Sequence, residues 1–446
     1  MIEQEYIDIF TQFHDKIDAN SAPVINNMRG AAFKAFEEKG FPTNKLEDYK
    51  YTNVAAEFLP DFGINLNRMP LKGNPYFAFR CEVPNLATNL YYMLNDMFSN
   101  EYLPEMEYPA GVFVGSLKDF AEKHPDICTK HYGQIADVKD NGVVAFNTMF
   151  VQDGFVVYVP KNVVLEKPIQ LINVLKSNMD AIVSRRILVI VEENAQAKLL
   201  VCDHTMDESQ YLVTQISEIY AGKNAIVDFY ELEENSDKVT RLSSAYTNQE
   251  STSNVLINNL MLNCGITRNN YHVKLAGEHA EAYVCGMVIS DKQQSVDNFV
   301  YMDHAVPNCQ STQLFKYVVQ EEAKGSFCGR ILVEKDAQKT QAYQTNHNLC
   351  TSGDARMYSK PQLEIYADDV KCSHGLTTGQ LDEEALFYMR ARGISKDEAR
   401  LMLIQAFTAD VLDHVRIDSL RTRLEDLVEK RFRGEKVRCG NCAVCK

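Results

Sequence analysis

Along the middle of the chain, short runs of β-branched and aromatic residues alternate with polar breaks, a pattern typical of strands. From about residue 143 to residue 370 no helical stretch of a dozen residues interrupts these runs, which disfavours alternating β-α-β units. The breaks are rich in Asn, Asp and Gly, the residues of turns. The pattern predicts more than about ten strands in a sandwich, a large barrel or a β-solenoid. The clearest runs are Phe155–Val159, Ile169–Val174, Ile187–Val191, Lys198–Val201, Ala225–Tyr230, Val255–Leu262, Ala282–Ile289, Phe315–Val319 and Phe327–Val333.

Two short segments hint at the period of this β region. Asp336-Ala337 and Asp354-Ala355 stand at matching places before successive strand-like runs, 18 residues apart. A spacing of about 20 residues is typical of one turn of a solenoid. The spacing therefore favours the solenoid, while the strand pattern by itself leaves the sandwich and the barrel open.

The N-terminal region has a helical period instead. Residues 1–40 predict two helices, the second with Ser21 as its N-cap and with Gly40 just past its end. Between residues 55 and 140 the pattern is mixed and interrupted by prolines, with short helices predicted at Leu86–Phe98 and Leu117–Lys123. The apolar stripe of the first helix consists of Tyr6, Phe10, Phe13 and Ile17.

Beyond residue 380 the period is again helical. The acidic run Asp382–Glu384 favours a helix start, because the helix dipole stabilises negative charge there. Gly393 ends that helix, and Ser395–Glu398 forms a capping box that opens the next. A long apolar face follows, and it is either part of the core or a docking surface for a partner chain.

A thiol and an imidazole stand at the junction of the β region and the terminal helices. Residues 363–367 alternate as in a half-buried strand, and Asp368-Asp369 breaks that pattern. Cys372 and His374 follow, two residues apart, before glycines that loosen the backbone. A thiolate and an imidazole are both side-chain types that bind metal ions. The alternative is a buried thiol at the end of a strand and a hydrogen-bonded histidine in a turn.

Composition and charge exclude several classes of function. The net charge of −15 argues against binding nucleic acid. The first residues lack a basic segment followed by an apolar run, so no secretory signal is predicted, and no apolar stretch approaches the roughly 20 residues of a membrane span. The 12 cysteines are then expected to be reduced thiols in the cytoplasm. The sequence has no Gly-x-x-x-x-Gly-Lys-Ser/Thr loop, so no ATP-hydrolysing P-loop is predicted in this chain.

The order of motifs resembles that of the SufB/SufD family of iron–sulfur cluster assembly proteins. Pro42–Thr52 is similar to the PT-x-K-x-E-x-W-K-Y-T segment of the SufD branch, with Tyr49 in place of the usual Trp. Asp368–Gly375 matches the SufD version of the C-terminal segment, whereas the SufB version differs at Lys371–His374. The resemblance covers essentially residues 20–430. The other similar segments are His304–Pro307, Gly329–Ile331, Ala337-Gln338, Gln344–Leu349, Lys360–Ile365, Gly379–Asp382, Leu386–Tyr388 and Arg392–Ile394.

This resemblance implies a right-handed parallel β-helix flanked by N-terminal and C-terminal helical domains. We expect a mostly helical domain at residues 1–140, the β-helix at residues 141–375 and a helical domain with a cysteine-rich tail at residues 376–446. The family role is that of a non-catalytic scaffold subunit of the cytoplasmic SufBCD complex. Its β-helix pairs with a SufB-like paralogue, and its C-terminal helices bind a SufC-like ABC ATPase. Unpaired β-helix edges also allow a homodimer of the isolated chain.

The resemblance also implies roles for individual residues. His374 matches a histidine that acts with SufB at the cluster-forming interface, where SufD helps iron to enter, and Cys372 matches the neighbouring cysteine. We expect no permanently bound cofactor, only transient iron or a transient iron–sulfur cluster at the SufB interface. Leu403, Phe407 and Val411 are the candidate contacts to the SufC-like ATPase.

The extreme C-terminus departs from the family pattern. Cys439, Cys442 and Cys445 have the spacing of the first three ligands of a bacterial ferredoxin, with no fourth cysteine before Lys446. The set suits transient metal capture, a site completed by another chain, or a tail without a ligand role. An alternative function is therefore a standalone iron or redox carrier. A β-helix polysaccharide lyase or hydrolase is a third interpretation, which the missing signal peptide and the cysteine usage disfavour.

Overall fold

Two sheets of mainly parallel strands face each other. From residue 155 onward, successive strands of the chain belong alternately to one sheet and to the other. The computed structural model describes residues 2–69 and 88–434, and in these residues each sheet has 10 strands. Sheet A consists of β1 (Gly63–Ile64), β4 (Phe113–Ser116), β5 (Phe155–Val159), β7 (Ala181–Val191), β9 (Tyr211–Ala221), β11 (Val239–Gln249), β13 (Ile266–Leu275), β15 (Ser295–His304), β17 (Lys324–Val333) and β19 (Arg356–Ile365). Sheet B consists of β2 (Asn89–Leu94), β3 (Met97–Ser99), β6 (Ile169–Leu175), β8 (Gln196–Thr205), β10 (Ile226–Glu234), β12 (Asn254–Asn263), β14 (Glu281–Ser290), β16 (Gln310–Val319), β18 (Gln341–Cys350) and β20 (Lys371–Gly379).

One turn of the chain contains one strand of each sheet. Ser295 in β15 pairs in parallel with Lys324 in β17, 29 residues further on. The result is a parallel β-helix of about 8 turns, which confirms the predicted solenoid. The spacing argument was wrong, however. Asp336-Ala337 and Asp354-Ala355 lie in successive corners of a single turn, before strands of opposite sheets.

Aliphatic and aromatic side chains from both sheets fill most of the space between them, but a buried polar network interrupts this core. Arg241 in β11 is 1% exposed. Its Nη2 donates to Glu231 Oε1 at 2.6 Å, and its Nε lies 3.0 Å from Asp203 Oδ2. Pairing of this kind is required because an unpaired buried charge costs several kcal/mol. Hydrogen bonds continue along the axis from Arg241 through Asn269, Asn298 and Tyr317.

The two ends of the β-helix are built differently. At the first end, β3 and β4 pair antiparallel with β2 and β5, and the side chains of Leu103, Met106 and Val112 pack against the core. At the other end, β19 and β20 are the last strands of their sheets, and no described strand pairs with their outer edges. Pro361 in β19 suits such an edge, because it has no N–H to donate to a further strand. One end is capped, and we call the other the open end.

Residues with positive φ form one corner of successive turns. Asn194 and Asn224 have φ values of 56° and 58°, a region that Asn tolerates better than most residues. Asn194 Nδ2 donates to Asn162 Oδ1 at 2.8 Å, and Asn224 Nδ2 donates to Asn194 Oδ1 at 2.9 Å. This asparagine ladder links three consecutive corners. Positive φ values recur at the following corners, at Thr252, His279, Asn308 and Lys339.

In the described part of the chain, seven short or medium helices precede or interrupt the first strands, and several of them cover the outer face of sheet A. The buried stripe of α1 is confirmed for Tyr6, Phe10 and Ile17. The second predicted helix is split into α2 and α3, and α2 begins after Ala22 rather than Ser21. These helices are α1 (Ile2–Ala19), α2 (Pro23–Asn26), α3 (Arg29–Lys39), α4 (Val54–Glu57), α5 (Leu117–Lys123), α6 (Pro125–His131) and α7 (Gly142–Phe150).

The predicted helix at Leu117–Lys123 is confirmed as α5, but the one at Leu86–Phe98 is wrong. Its described part contains β2 and the start of β3. The reason is a period of two: Tyr91 and Met93 pack into the core between the sheets, while Tyr92 between them packs on the opposite face.

In the described residues three C-terminal helices follow the last strand: α8 (Glu383–Ala391), α9 (Lys396–Asp413) and α10 (Asp418–Phe432). Helices α9 and α10 pack on the outer face of sheet B, and α8 packs against α9. The predicted cap at Ser395 is confirmed, since its side chain accepts a hydrogen bond from the Glu398 amide of α9. Asp382, expected only to supply negative charge to a first turn, is the N-cap of α8 and accepts hydrogen bonds from the Glu384 and Ala385 amides. Arg416 and Arg431 anchor the helices through ion pairs to Asp228 and Asp291 at 2.8 and 2.7 Å. Among the described residues, none of these or the earlier helices combines the length and apolar character that crossing a membrane requires.

The expected domain boundaries do not coincide with the ends of the observed elements. Helix α7 lies inside the segment 141–375 that was assigned to the β-helix, and β20 continues to Gly379. Strands β1 to β4, in the segment 1–140, already belong to the two sheets. The chain thus enters the β-helix earlier and leaves it later than the sequence pattern indicates.

Candidate functional site

Cys372 and His374 lie on β20, the terminal strand of sheet B, and not in a junction between a strand and a helix. Parallel pairing with β18 puts Cys372 opposite Ala342 and His374 opposite Gln344. The preceding Asp368-Asp369 forms the corner that leads into β20. This backbone pairing, which no local sequence pattern reveals, holds both side chains on one strand at the open end.

His374 ends a column of inward-facing polar side chains. Paired residues of in-register parallel strands share a face, so His374 follows Gln344 and Gln313. Gln344 Nε2 donates to Gln313 Oε1 at 2.8 Å, and both amides are buried. Gly329 in sheet A makes room for them, because a Cβ atom there would lie 2.1 Å from Gln344 Nε2. His374 itself is exposed, and no described residue hydrogen-bonds to its ring or forms an ion pair with it, so the imidazole is accessible to a ligand.

Cys372 is half-buried and packs against the core between the sheets. Burial raises the pKa of its thiol, and a hydrogen bond with the backbone of Ala342 opposes this shift. The thiol is therefore protonated at neutral pH. Binding a metal ion at Cys372 Sγ must release a proton, which makes the affinity increase with pH.

The pair supplies only part of a metal site. Cys372 and His374 are on the same face of β20, with Cα atoms about 6.6 Å apart. Within residues 2–69 and 88–434, no group of three or more His, Cys, Asp and Glu side chains is arranged to hold a metal ion. The predicted tail ligands Cys439, Cys442 and Cys445 lie outside the described residues. A metal ion at this edge therefore needs further ligands from elsewhere.

The open end also exposes apolar side chains. Leu376, which lies on the same face of β20 as His374, is 42% exposed, and Ile365 and Tyr366 at the end of β19 are 39% and 63% exposed. A solenoid usually closes such an end with a polar cap, and an unpaired strand edge is a template for another chain. Free strand edges, apolar side chains and two side chains of the types that bind metal ions thus coincide at one end of the molecule.

The C-terminal residues predicted to contact a partner are less accessible than expected. Val411 is completely buried against sheet B, and Leu403 and Phe407 are half-buried. Lys316 Nζ donates to the Phe407 carbonyl at 2.7 Å and lies over its ring, which ties this part of α9 to β16. Val411 is therefore corrected to a core residue of this chain.

Other apolar residues of the C-terminal helices face solvent. Phe387 and Tyr388 on α8 are 73% and 57% exposed, and Met402 on α9 is 43% exposed. Leu386 is the buried residue of α8. Sequence reasoning missed these positions because a helical stripe shows which residues are apolar and does not show which side of the helix the sheet occupies.

Pro42–Thr52, which we call the strap, lies across the outer face of sheet A close to the open end. Thr52 Oγ1 donates to Asp297 Oδ2 in β15 at 2.8 Å, and the Tyr51 ring stacks on Tyr358 in β19 with centroids 4.3 Å apart. The strap was singled out in the sequence, but its position was not predictable, since Asp297 and Tyr358 follow it by more than 240 residues. It links the N-terminal region to the terminal strand of the β-helix.

Comparison with known proteins gives matches over nearly the whole chain. The model of the SufBD core domain of the SUF system for FeS cluster assembly matches residues 173–407, and that of the SufBD N-terminal region matches residues 1–171. An iron–sulfur cluster assembly SufBD family protein of Synechocystis sp. is 29% identical over 418 residues, which cover 92% of this chain and 91% of that protein. The iron–sulfur cluster assembly protein SufD of Escherichia coli is 36% identical over 174 residues, 39% of this chain and 41% of that protein. SufD of Bacillus subtilis is 23% identical over 446 residues, 97% of this chain and 98% of that protein.

Proposed function

Because this chain belongs to the SufBD family of the SUF system for iron–sulfur cluster assembly, we propose that it is a non-catalytic, SufD-type scaffold subunit whose open end pairs with a SufB-like paralogue. The observation that carries this proposal is the contrast between the two ends of the β-helix. One end is capped by antiparallel strands. At the other end no described strand pairs with the outer edges of β19 and β20, and Leu376 and Tyr366 are exposed. A second solenoid end would cover these edges and apolar side chains.

In this role iron and the nascent cluster are cargo and not a resident cofactor. His374 and Cys372 offer one nitrogen and one sulfur ligand at the paired edge, and the partner chain supplies the remaining ligands. The exposed imidazole is the first contact for incoming iron, and the half-buried thiol binds once its proton is released. A site divided between two chains forms only when they are paired, which limits cluster assembly to the complex.

We place the contact with a SufC-like ATPase on Phe387, Tyr388 and Met402 instead of on the buried Val411. Helix α8 follows β20 after only Gln380–Asp382, and Leu381 packs in a small cluster with Phe407 and Leu349. A force applied to α8 therefore acts on the strand that carries Cys372 and His374. This short connection supports coupling between ATP-driven motion and the open end.

The test of the ligand role is co-expression with SufB-like and SufC-like partners, followed by anaerobic isolation of the complex. We expect His374→Ala to leave the complex intact and to lower its iron and sulfide content several-fold, because one ligand of the shared site is lost. His14→Ala, at an exposed histidine of α1, is the matched control and should match wild type. Wild-type iron content in an intact His374→Ala complex would refute the ligand role, and failure of the wild-type chain to join the complex would refute the scaffold role.

A further inference from the structure

The strap holds on to the last turns of the β-helix through a set of specific contacts. Asp48 pairs with Arg330 in β17 at 3.3 Å, and Glu47 pairs with Lys360 in β19. Tyr49 is buried beneath the guanidinium group of Arg268, whose Cζ lies 4.6 Å from the ring centroid. These contacts fix the strap across β13 to β19, so that it reaches the strand whose outer edge is open.

The strap does not bury all of its apolar side chains. Leu46 is 54% exposed and Tyr51 is 43% exposed, and Tyr358, on which Tyr51 stacks, is 38% exposed. Single exposed apolar residues are common on protein surfaces, but these three belong to one short strap and the strand beneath it. A strap that served only to hold the fold together would gain by burying Leu46 and Tyr51, since each would contribute about 1.5–3 kcal/mol.

Two lysines lie beside these residues. Lys45 and Lys50 are exposed, and Lys50 Nζ is 5.6 Å from the centroid of the Tyr51 ring. The acidic residues of the strap, Glu47 and Asp48, are paired with Lys360 and Arg330, whereas neither Lys45 nor Lys50 forms an ion pair with a described residue. We call Leu46, Tyr51 and Tyr358, together with Lys45 and Lys50, the strap patch.

We propose that the strap patch is the outer part of the surface that receives the SufB-like partner, and that the partner covers it with apolar side chains bordered by carboxylates. A strand added to β19 would lie about 4.8 Å away, and its residue next to Tyr358 would have its Cβ atom roughly 5 Å from that of Tyr358. The strap patch thus continues directly from the open edge of β19. This inference rests on the proposed pairing at the open end and adds to it a second, side-chain-based contact that involves the N-terminal region.

The positive charges of Lys45 and Lys50 favour a SufB-like partner whose contact surface is bordered by carboxylates. An apolar partner surface with Asp or Glu at its border would pair with Lys45 and Lys50, and opposite charges at the rim of an interface accelerate association and favour the correct partner. We therefore expect part of the affinity to decrease as the salt concentration rises.

The experiment compares variants of the full chain for binding to a co-purified SufB-like and SufC-like subcomplex. Leu46→Asp should raise the Kd about tenfold or more, because it puts a carboxylate among the apolar side chains of the strap patch. Lys45→Glu/Lys50→Glu should raise the Kd most strongly at low salt. Met179→Asp, at a 61% exposed methionine in the corner between β6 and β7, is the matched control and should bind as wild type does.

A variant of the open edge separates this inference from the function on which it rests. Leu376→Lys puts an inward-pointing charge on β20, a device that blocks strand pairing. If Leu376→Lys weakens binding but Leu46→Asp and Lys45→Glu/Lys50→Glu bind like Met179→Asp, the strap patch is overturned and the pairing stands. If Leu376→Lys also binds like wild type, the pairing at the open end is itself overturned. Thermal unfolding of each isolated variant should give the wild-type midpoint, and a lowered midpoint for Leu46→Asp would assign the strap a folding role in place of a binding role.

Discussion

Glu234 is a buried carboxyl group whose charge is poorly compensated. Its side chain is 4% exposed beneath the C-terminal helices, and neither of its oxygens has a hydrogen-bond partner among the described residues. His204 Nδ1 lies 3.7 Å from Glu234 Oε2, but burial lowers the pKa of His204 to about 4, so the ring is neutral. Burial raises the pKa of Glu234 to about 7, and Arg423 on α10 opposes this shift in part. The fold therefore favours the protonated acid.

This shift predicts a pH dependence of stability. A carboxyl group whose pKa is raised from 4.5 to about 7 stabilises the fold below pH 4.5, and that contribution is lost as the pH rises to about 7. The loss is about 3 kcal/mol. We expect Glu234→Gln, which cannot ionise, to have the larger free energy of unfolding at pH 8 and a nearly equal one at pH 5, as measured by urea titration. Comparing the two proteins at each pH cancels the contributions of other groups, and a difference independent of pH would contradict the prediction.

At the scale of elements, the asparagine ladder combines a backbone requirement with a side-chain contact. Asn224 has a φ of 58°, and its side chain donates to Asn194 in the preceding turn. Replacement by Gly removes the side-chain contact together with the Cβ atom, whereas replacement by Ala removes the contact but keeps a Cβ atom in the left-handed region, at a cost of about 1–2 kcal/mol.

We therefore predict that Asn224→Ala lowers the thermal unfolding midpoint more than Asn224→Gly does, the reverse of the usual order of Ala and Gly. His279, with a φ of 61° at a later corner, provides the control, since His279→Gly relieves the backbone without breaking the ladder. Equal midpoints for the two Asn224 variants would contradict the prediction and show that the Cβ atom costs nothing at this corner.

The C-terminal helices carry a prediction about partner binding. Phe387→Asp/Tyr388→Asp changes two exposed residues, so we expect a normal unfolding midpoint together with a rise of tenfold or more in the Kd for a SufC-like ATPase, measured by calorimetry. Leu59→Asp, at a 65% exposed leucine in the N-terminal region, is the control. Val411→Asp should instead destabilise the chain, since Val411 is completely buried. Retained ATPase binding by the double variant would move the docking site elsewhere.

The predicted strands and the missed strands differ in the polarity of the side chains that point into the core. Phe155–Val159 was predicted with its bounds correct because both of its faces are apolar and buried. In β11, by contrast, the inward positions include Arg241, Ser243 and Thr247, which are buried but polar, so the hydrophobic period of a strand is hidden. Such positions are satisfied by hydrogen bonds to residues of neighbouring turns, and these pairings are not visible in a local pattern.

The candidate site was predictable only in part. Cys372 and His374 were singled out from the sequence pattern and the resemblance to the family implied their roles, whereas their placement on a strand follows from pairing with Ala342 and Gln344. Both faces of β20 are largely exposed, so neither face has a hydrophobic pattern to predict a strand. The roles of Cys372 and His374, and of the tail cysteines Cys439, Cys442 and Cys445, stay predictions.

For the whole molecule, the open end should be locally less stable than the middle of the β-helix. Backbone amides of β19 and β20 belong to edge strands with many exposed residues, whereas β11–β14 lie in the middle of the sheets and are mostly buried. Hydrogen exchange measured by mass spectrometry on the isolated chain at low concentration should be at least about tenfold faster in β19 and β20 than in β12. Addition of the SufB-like partner should slow exchange in both terminal strands.

The dependence on protein concentration distinguishes two ways of covering the open end. Slower exchange in β20 at high concentration of the isolated chain would indicate that two copies pair through this end. Strong protection of β20 at every concentration would contradict an open end in the isolated chain.

The one-way stacking of the turns has a consequence for biosynthesis. Strands β5 to β20 follow one another along the chain in the same order in which they stack, and each finished turn offers its edge to the turn that leaves the ribosome next. Throughout synthesis the nascent chain has a single growth front, which advances by about 4.8 Å per turn. The edge at β19 and β20 is the last position of that front, left in the mature chain as a surface on which a different polypeptide continues the stack.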